Sequence, residues 1–215
     1  MHSMKIKKIG HCCLIIKTEG KKIMTDPGSF TVAGQEKESD IDLILITHEH
    51  SDHLHIESLK KILEKNPNVK IITNSSVGKL LDVKGIKYEV LKNKIPTEVL
   101  GIEFEAHDCR HEEIFEDLGQ VENTAYFIDK RLFYPGDAFY NPGSPVEILA
   151  LPVAGPWCRV RNFMRYALEI KPKVCFPVHD GMLSVLKTAY WVPEKVLPEH
   201  DIIFKILEGE KEEEF

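Results

Sequence analysis

Residues 47–53 read Thr-His-Glu-His-Ser-Asp-His, directly after the apolar run 43–46 and shortly before a segment with helical spacing at Ile56, Leu59, Ile62 and Leu63. A short apolar run of this kind has the pattern of a buried strand. His48, His50, Asp52 and His53 therefore fall on a loop leaving a sheet, where an extended backbone can turn one pair of side chains toward one point and the second pair toward a neighbouring one. Imidazole nitrogen and carboxylate oxygen are ligand types for zinc or iron. The spacing is not that of a two-histidine metalloprotease helix, because residue 52 is Asp where HExxH needs His.

The rest of the chain reads as strands with helices inserted between them. Apolar or alternating segments lie at 5–9, 13–16, 22–25, 70–73, 97–106, 125–129, 132–134, 148–153, 174–176 and 201–207. Helical spacing covers 56–64, 161–170 and 182–190, and Asn74 and Ser75 can cap a helix running to about Leu81. Residues 29–40 read as a polar loop, and Asp129-Lys130 as the turn of a hairpin. This order fits sheets packed together with helices outside, in one domain over 4–207. Residues 208–215, EGEKEEEF with Glu-rich composition, read as a solvated, frayed tail, and residues 1–3, ahead of a second methionine at 4, as an expression-derived extension.

Charge narrows the function classes. With 34 Asp+Glu against 28 Lys+Arg the net charge is −6, which argues against an extensive nucleic-acid-binding surface. No apolar run reaches the length of a transmembrane helix, and the first residues carry no secretory signal pattern. The five cysteines are odd in number and contain no CxxC, so neither a disulfide framework nor a thiolate zinc motif is signalled, and a cytoplasmic location is expected.

The 47–53 segment resembles the HxHxDH signature of the metallo-β-lactamase superfamily of metal-dependent hydrolases. Further along, His107 in FEAHD, Asp137 in YPGDAF and His179 in FPVHDG follow predicted strands in that family's order. The resemblance runs from about residue 9 to about residue 181. It implies an α/β fold, a four-layer αββα sandwich of two mixed β-sheets packed together with helices on both outer faces. It also implies two divalent metal ions, zinc first, with manganese or iron as alternatives. One ion would be held by His48, His50 and His107, the other by Asp52, His53 and His179, with Asp137 bridging. A metal-bound hydroxide would then attack an ester, lactone or phosphodiester of a small, anionic or phosphorylated substrate. Asp52 is the catalytic candidate, orienting the nucleophile or carrying a proton to the leaving group. His107 and His111 both lie in AHDCRHEE, and the family's placement of its ligand at a strand end favours His107.

Other residues have two readings each. Asp26 in IMTDPG resembles a family aspartate that fixes a ligand's tautomer, and it also suits a turn before Pro. His11 in IGHCCLII matches the IGH opening of one branch, while a lone His at a strand start is more often structural. Tyr140, Trp157 and Arg159 can line a substrate pocket, or pack and solvate without contacting substrate. His55 reads as a polar neighbour of the site and Glu49 as solvent-facing. The IGH opening, TDPG turn and closing PVH are similar to a compact cytosolic branch that includes ascorbate-phosphate lactonase and the phospholipase-D-like enzymes of N-acyl phospholipids. A mononuclear iron dioxygenase of the persulfide type and a non-catalytic metal-binding regulatory protein are the alternatives of other classes. The oligomeric state is not legible in the sequence.

Overall fold

In the computed structural model, which describes residues 3–209 and 211–215, the chain alternates strand and helix in the order the sequence suggests. The strands are β1 Lys5–Gly10, β2 Cys13–Thr18, β3 Lys21–Thr25, β4 Leu43–Leu45, β5 Lys70–Ile72, β6 Thr97–Val99, β7 Ile102–Arg110, β8 Glu122–Ile128, β9 Leu132–Tyr134, β10 Ile148–Pro152, β11 Val174–Val178, β12 Ile203–Phe204 and β13 Glu212–Glu214. The helices are α1 Val32–Gln35, α2 Ile56–Lys65, α3 Ser75–Asp82, α4 Val160–Ile170 and α5 Lys187–Val196. None is long and apolar enough to cross a membrane among the described residues.

Two mixed sheets result, ordered β13-β1-β2-β3-β4-β5 and β12-β11-β10-β9-β8-β7-β6. Each has an antiparallel half and a parallel half: β3, β4 and β5 run parallel, as do β9, β10, β11 and β12. The side-chain period of two decides what each strand buries. Ile148 and Ala150 of β10 join Ile6, Ile16, Phe104 and Tyr126 in a core between the sheets, while Leu149 and Leu151 face outward onto Phe163 and Tyr166 of α4. On the other side Ile44 and Ile71 pack against Leu59 and Ile62 of α2 and Val77 of α3. Three apolar layers separated by two sheets make the expected four-layer αββα sandwich.

Capping follows the sequence at α3, where the Asn74 side chain accepts from the Val77 amide at 3.0 Å. Helix α4 stops at Lys171, whose φ of 51° lies in the left-handed region ahead of Pro172. Helix α5 differs from the expected 182–190 span: it starts at Lys187 and runs through a buried Pro193 that reads locally as a helix breaker.

The acidic C-terminal segment also differs from expectation. Residues 212–214 are not a frayed tail but strand β13, antiparallel to β1 with Lys5 opposite Glu214 and Lys7 opposite Glu212. Opposite charges facing across a strand pair are favourable, and Phe215 adds a ring packed on the interior core. The Glu run had its complement in lysines two hundred residues away. The reading of residues 1–3 as an extension falls largely on Met1 and His2, which lie outside the described residues.

Candidate metal centre

Within each sheet β1, β3 and β4, and likewise β7, β9 and β11, run the same way, and the side chains of interest sit just beyond their C-terminal ends. His11 follows β1, Asp26 follows β3, residues 47–53 follow β4, His111 follows β7, Asp137 follows β9 and His179 follows β11. Three of these residues have positive φ: His11 (46°), Asp26 (37°) and His179 (60°). Left-handed backbone costs a non-glycine residue about 1–2 kcal/mol. Hydrogen bonds hold the turns in place, from the His179 amide to the His11 carbonyl at 3.1 Å and from the Asp26 amide to the Leu45 carbonyl at 2.9 Å.

Two groups of potential ligand atoms result. His48, His50, His111 and Asp137 form one, and His11, Cys12, His53 and His179 the other, each with its ligand atoms within 4.8 Å of one another. Asp137 lies between them: its Oδ2 is 3.2 Å from His111 Nε2 and 2.8 Å from His179 Nε2, and its Oδ1 is 3.2 Å from His53 Nε2. Asp52 Oδ2 is 3.4 Å from His179 Nε2 and 3.0 Å from His11 Nε2.

In His48, His53 and His111 the ring nitrogen turned away from the centre is engaged, which leaves Nε2 turned inward. Asp26 is the hub. Its carboxylate accepts from the Thr47 amide (2.7 Å), the Thr47 hydroxyl (2.8 Å) and His53 Nδ1 (2.8 Å), and the Tyr134 hydroxyl lies 2.7 Å away. Because the Thr47 hydroxyl donates to Asp26, it accepts from His48 Nδ1, 2.9 Å away. His111 Nδ1 donates to the Glu112 carbonyl at 2.6 Å. These contacts fix the proton on Nδ1 and leave the Nε2 lone pairs facing the centre, the device by which outer contacts orient metal-binding histidines. His53 Nε2, both ring nitrogens of His179 and Asp137 Oδ1 are buried without an aligned hydrogen bond. Such groups are costly unless something else satisfies them. A buried imidazole and carboxylate set with inward lone pairs fits a divalent metal in both composition and orientation.

The electrostatics follow from this crowding. Burial disfavours a charged His48 and holds its pKa well below the usual value, with His53 adding to the effect. Burial opposes charge on His179 too, but Asp137, Cys12 and Asp52 together outweigh it and raise the pKa to about 10. Asp137 is itself held well below the carboxylate range by His53 and His179 against the penalty of burial. Burial lowers the pKa of His11, with the bond to Asp52 opposing.

The structure brings His111, not His107, to the cluster. His107 is not in the cluster; it pairs with Ala125 within β7–β8 and points outward, its Nε2 3.1 Å from Glu105 Oε1 and its ring against Phe133 and Tyr140. The expected strand ended at 106, but β7 continues to Arg110 because Asp108, Cys109 and Arg110 pair with Thr124, Asn123 and Glu122. Polar residues that read as a loop are strand here, with the Thr124 hydroxyl donating to Asp108 at 3.0 Å. The ligand-type residue at the true strand end is His111.

Other sequence candidates separate in the same way. Trp157 is buried with its ring 5.7 Å from His111 and 5.5 Å from His179, so it walls the centre. Tyr140 lies against His107 on the far side of the sheet, and Arg159 stays exposed ahead of α4; neither is brought into the cluster. His55 caps α2, accepting from the Ser58 amide at 3.2 Å. Sequence reasoning missed Cys12, Thr47 and Tyr134, and also Asp180, which accepts from Lys8 Nζ and the Tyr190 hydroxyl and so anchors the turn after His179. Only Cys12 carried a local signal, its place beside His11.

Gly28 gives the loop its shape. A Cβ there would lie 1.7 Å from the Asp52 carbonyl oxygen, so the TDPG turn and the 48–53 loop touch backbone to backbone. Gly28→Ala is expected to cost about 2–4 kcal/mol in urea unfolding and to weaken metal retention, because one loop must move. Gly209→Ala, with nothing within 4 Å of the added carbon, should stay within about 0.5 kcal/mol of wild type. Equal stability of the two variants would contradict the contact.

Histidines and carboxylates thus gather at the strand ends of an αββα sandwich, a donor set suited to divalent metal. The comparisons agree. A family model described as a beta-lactamase superfamily domain matches residues 5–179, and the chain belongs to that superfamily. A protein of Mycobacterium tuberculosis is 28% identical, the match covering 84% of this chain and 86% of that one. A protein of Thermococcus kodakarensis named as a UPF0173 metal-dependent hydrolase is 26% identical over 98% of this chain and 94% of its own. Among solved structures, a metallo hydrolase of the archaeon Ignicoccus hospitalis has the same fold, with a TM-score of 0.77 at 17% identity, covering 99% of this chain and 98% of that one.

Proposed function

We propose that the centre holds two divalent ions, zinc by preference, and that the protein hydrolyses an ester, lactone or phosphodiester bond in a small anionic substrate. His48, His50 and His111 would hold one ion, Asp52, His53 and His179 would hold the other, and Asp137 would serve both. The observation that carries this reading is the position of Asp137, buried between two histidine groups with each of its oxygens within 3.2 Å of an inward ring nitrogen. Divalent metal bound here supplies Lewis acidity and lowers the pKa of a coordinated water to about 7, making a nucleophile available at neutral pH.

The chain's own residues do the remainder. Asp26 and Thr47 keep His53 and His48 in one tautomer and one orientation. Asp52 has a side chain 19% exposed, the most open of the acidic groups here, and takes a hydrogen bond from His11 that fixes its direction. It accepts the proton of the attacking nucleophile and passes it to the leaving group. Trp157 keeps one wall dry. Two divalent ions facing only two carboxylates leave the site electropositive on an acidic protein, which suits an anionic substrate.

The test is elemental analysis of protein purified without chelator, followed by assay of stripped and reloaded protein on lactones, carboxylic esters, thioesters and phosphodiesters. The expected result is up to two ions per chain and hydrolysis of one substrate class that is lost on stripping and restored by zinc. Full activity after complete stripping would sink the proposal. Iron-only loading with oxygen uptake on a thiol persulfide would turn it toward a dioxygenase.

A further inference from the structure

We infer that Cys12 supplies a thiolate ligand to the ion held by His53 and His179, an inference that rests on the two-ion reading above. The sulfur lies within 4.8 Å of the ligand atoms of His11, His53 and His179, and Cys12 is 1% exposed. The turn at His11 sends consecutive cysteines to opposite faces: Cys12 goes into the core between the sheets and Cys13 to the core beneath α2. The Cys12 carbonyl accepts from the Thr25 hydroxyl at 2.7 Å, with the Tyr134 hydroxyl 2.8 Å away. Cys12 is thereby tied to the same groups that surround Asp26.

The neighbours decide which of these groups is available. His11 is not: its Nδ1 accepts from the Gly181 amide at 3.1 Å, so the ring proton sits on Nε2 and is directed at Asp52 Oδ2. His53 uses Nδ1 on Asp26, which leaves Nε2, and His179 has no hydrogen bond at either nitrogen. The groups left facing the common point are therefore the Cys12 sulfur, His53 Nε2 and a His179 nitrogen, a sulfur and two nitrogens. A thiolate beside two imidazoles suits zinc and disfavours manganese.

The alternative is a small apolar side chain filling space. The other sulfurs behave that way or bond elsewhere: Cys13 and Cys175 lie in apolar clusters, Cys109 accepts from the Asn123 amide at 3.2 Å, and Cys158 faces the Pro152 carbonyl. Cys12 lies in an apolar cluster too, but its sulfur is also within 4.8 Å of His53, whose Nε2 has no aligned partner, and of His179, which has none at either nitrogen. On metal binding the thiol gives up its proton to solvent and the sulfur lone pair forms the metal–sulfur bond, with no change of oxidation state.

Cobalt(II) loading of the stripped full-length protein tests this. Sulfur-to-cobalt charge transfer absorbs in the near ultraviolet, and imidazole and carboxylate do not produce that band. Wild type should bind cobalt and show the band; Cys12→Ala and Cys12→Ser should lose it, and Cys109→Ser and Cys158→Ser should keep it in full. If the Cys12 variants fail to fold, X-ray absorption at the zinc edge of wild type decides, with a sulfur scatterer expected at about 2.3 Å. Stoichiometric cobalt without the band, an unchanged band in folded Cys12→Ala, or no sulfur in the zinc shell overturns the ligand and leaves the two-ion centre standing. Wild type that binds no metal by elemental analysis overturns both.

Discussion

His111→Ala should lower bound metal toward one ion per chain and reduce hydrolysis on the order of 100-fold or more, whereas His107→Ala should retain wild-type metal content. The first change removes an imidazole whose Nε2 is 3.2 Å from Asp137 and whose Nδ1 is anchored on the Glu112 carbonyl. Loss of groups that merely orient a ligand commonly costs 10–100-fold in affinity or activity, and loss of a ligand costs at least as much. The second change removes a ring that packs on Phe133 and Tyr140 outside the centre, so its cost falls on stability. Metal analysis of both variants after dialysis separates them. The reverse pattern, metal lost in His107→Ala and kept in His111→Ala, would mean that the chain places its third histidine differently.

Asp26→Ala should be the most damaging substitution that touches no proposed ligand position. The carboxylate is fully buried and gathers the Thr47 amide and hydroxyl, His53 Nδ1 and the Tyr134 hydroxyl. Its removal strands several buried donors at once, and breaking a buried charged network of this kind costs about 3–5 kcal/mol. His53 also loses the contact that selects its tautomer, so metal affinity should fall about 10–100-fold. Asp26→Asn keeps the shape but sets an amide NH2 against donors, so it should recover part of the stability and less of the affinity. Urea unfolding and competitive metal titration measure the two effects separately. Wild-type affinity in Asp26→Asn would show that the carboxylate does not set the His53 orientation.

Much of the architecture is legible locally because it depends on local periodicity. Residues 43–46 are apolar because β4 is covered on both faces, and the helical spacing of 56–64 is that of α2 with Leu59 and Ile62 turned to the sheet. The HxHxDH segment is legible because the ligand candidates of one loop are contiguous in sequence. Pairings between distant segments are not legible. Asp108-Cys109-Arg110 looks like loop until β8 lies beside it, and the glutamates of β13 look like solvated tail until Lys5 and Lys7 stand opposite. The choice between His107 and His111 turned on the first of these pairings.

The contrast between histidines and cysteines shows the division most clearly. By itself the sequence determined that side chains of metal-ligand type crowd one loop after a buried strand, because ligand type and strand pattern are local properties. The tertiary structure decided which distant residues meet that loop. Strand ends from two sheets bring His11, Cys12, His111, Asp137 and His179 to one rim, where packing and hydrogen bonding select the nitrogens that remain free. Residue type limits what can ligate, but only the register of the strands and the partners of each ring determine what is left to do so.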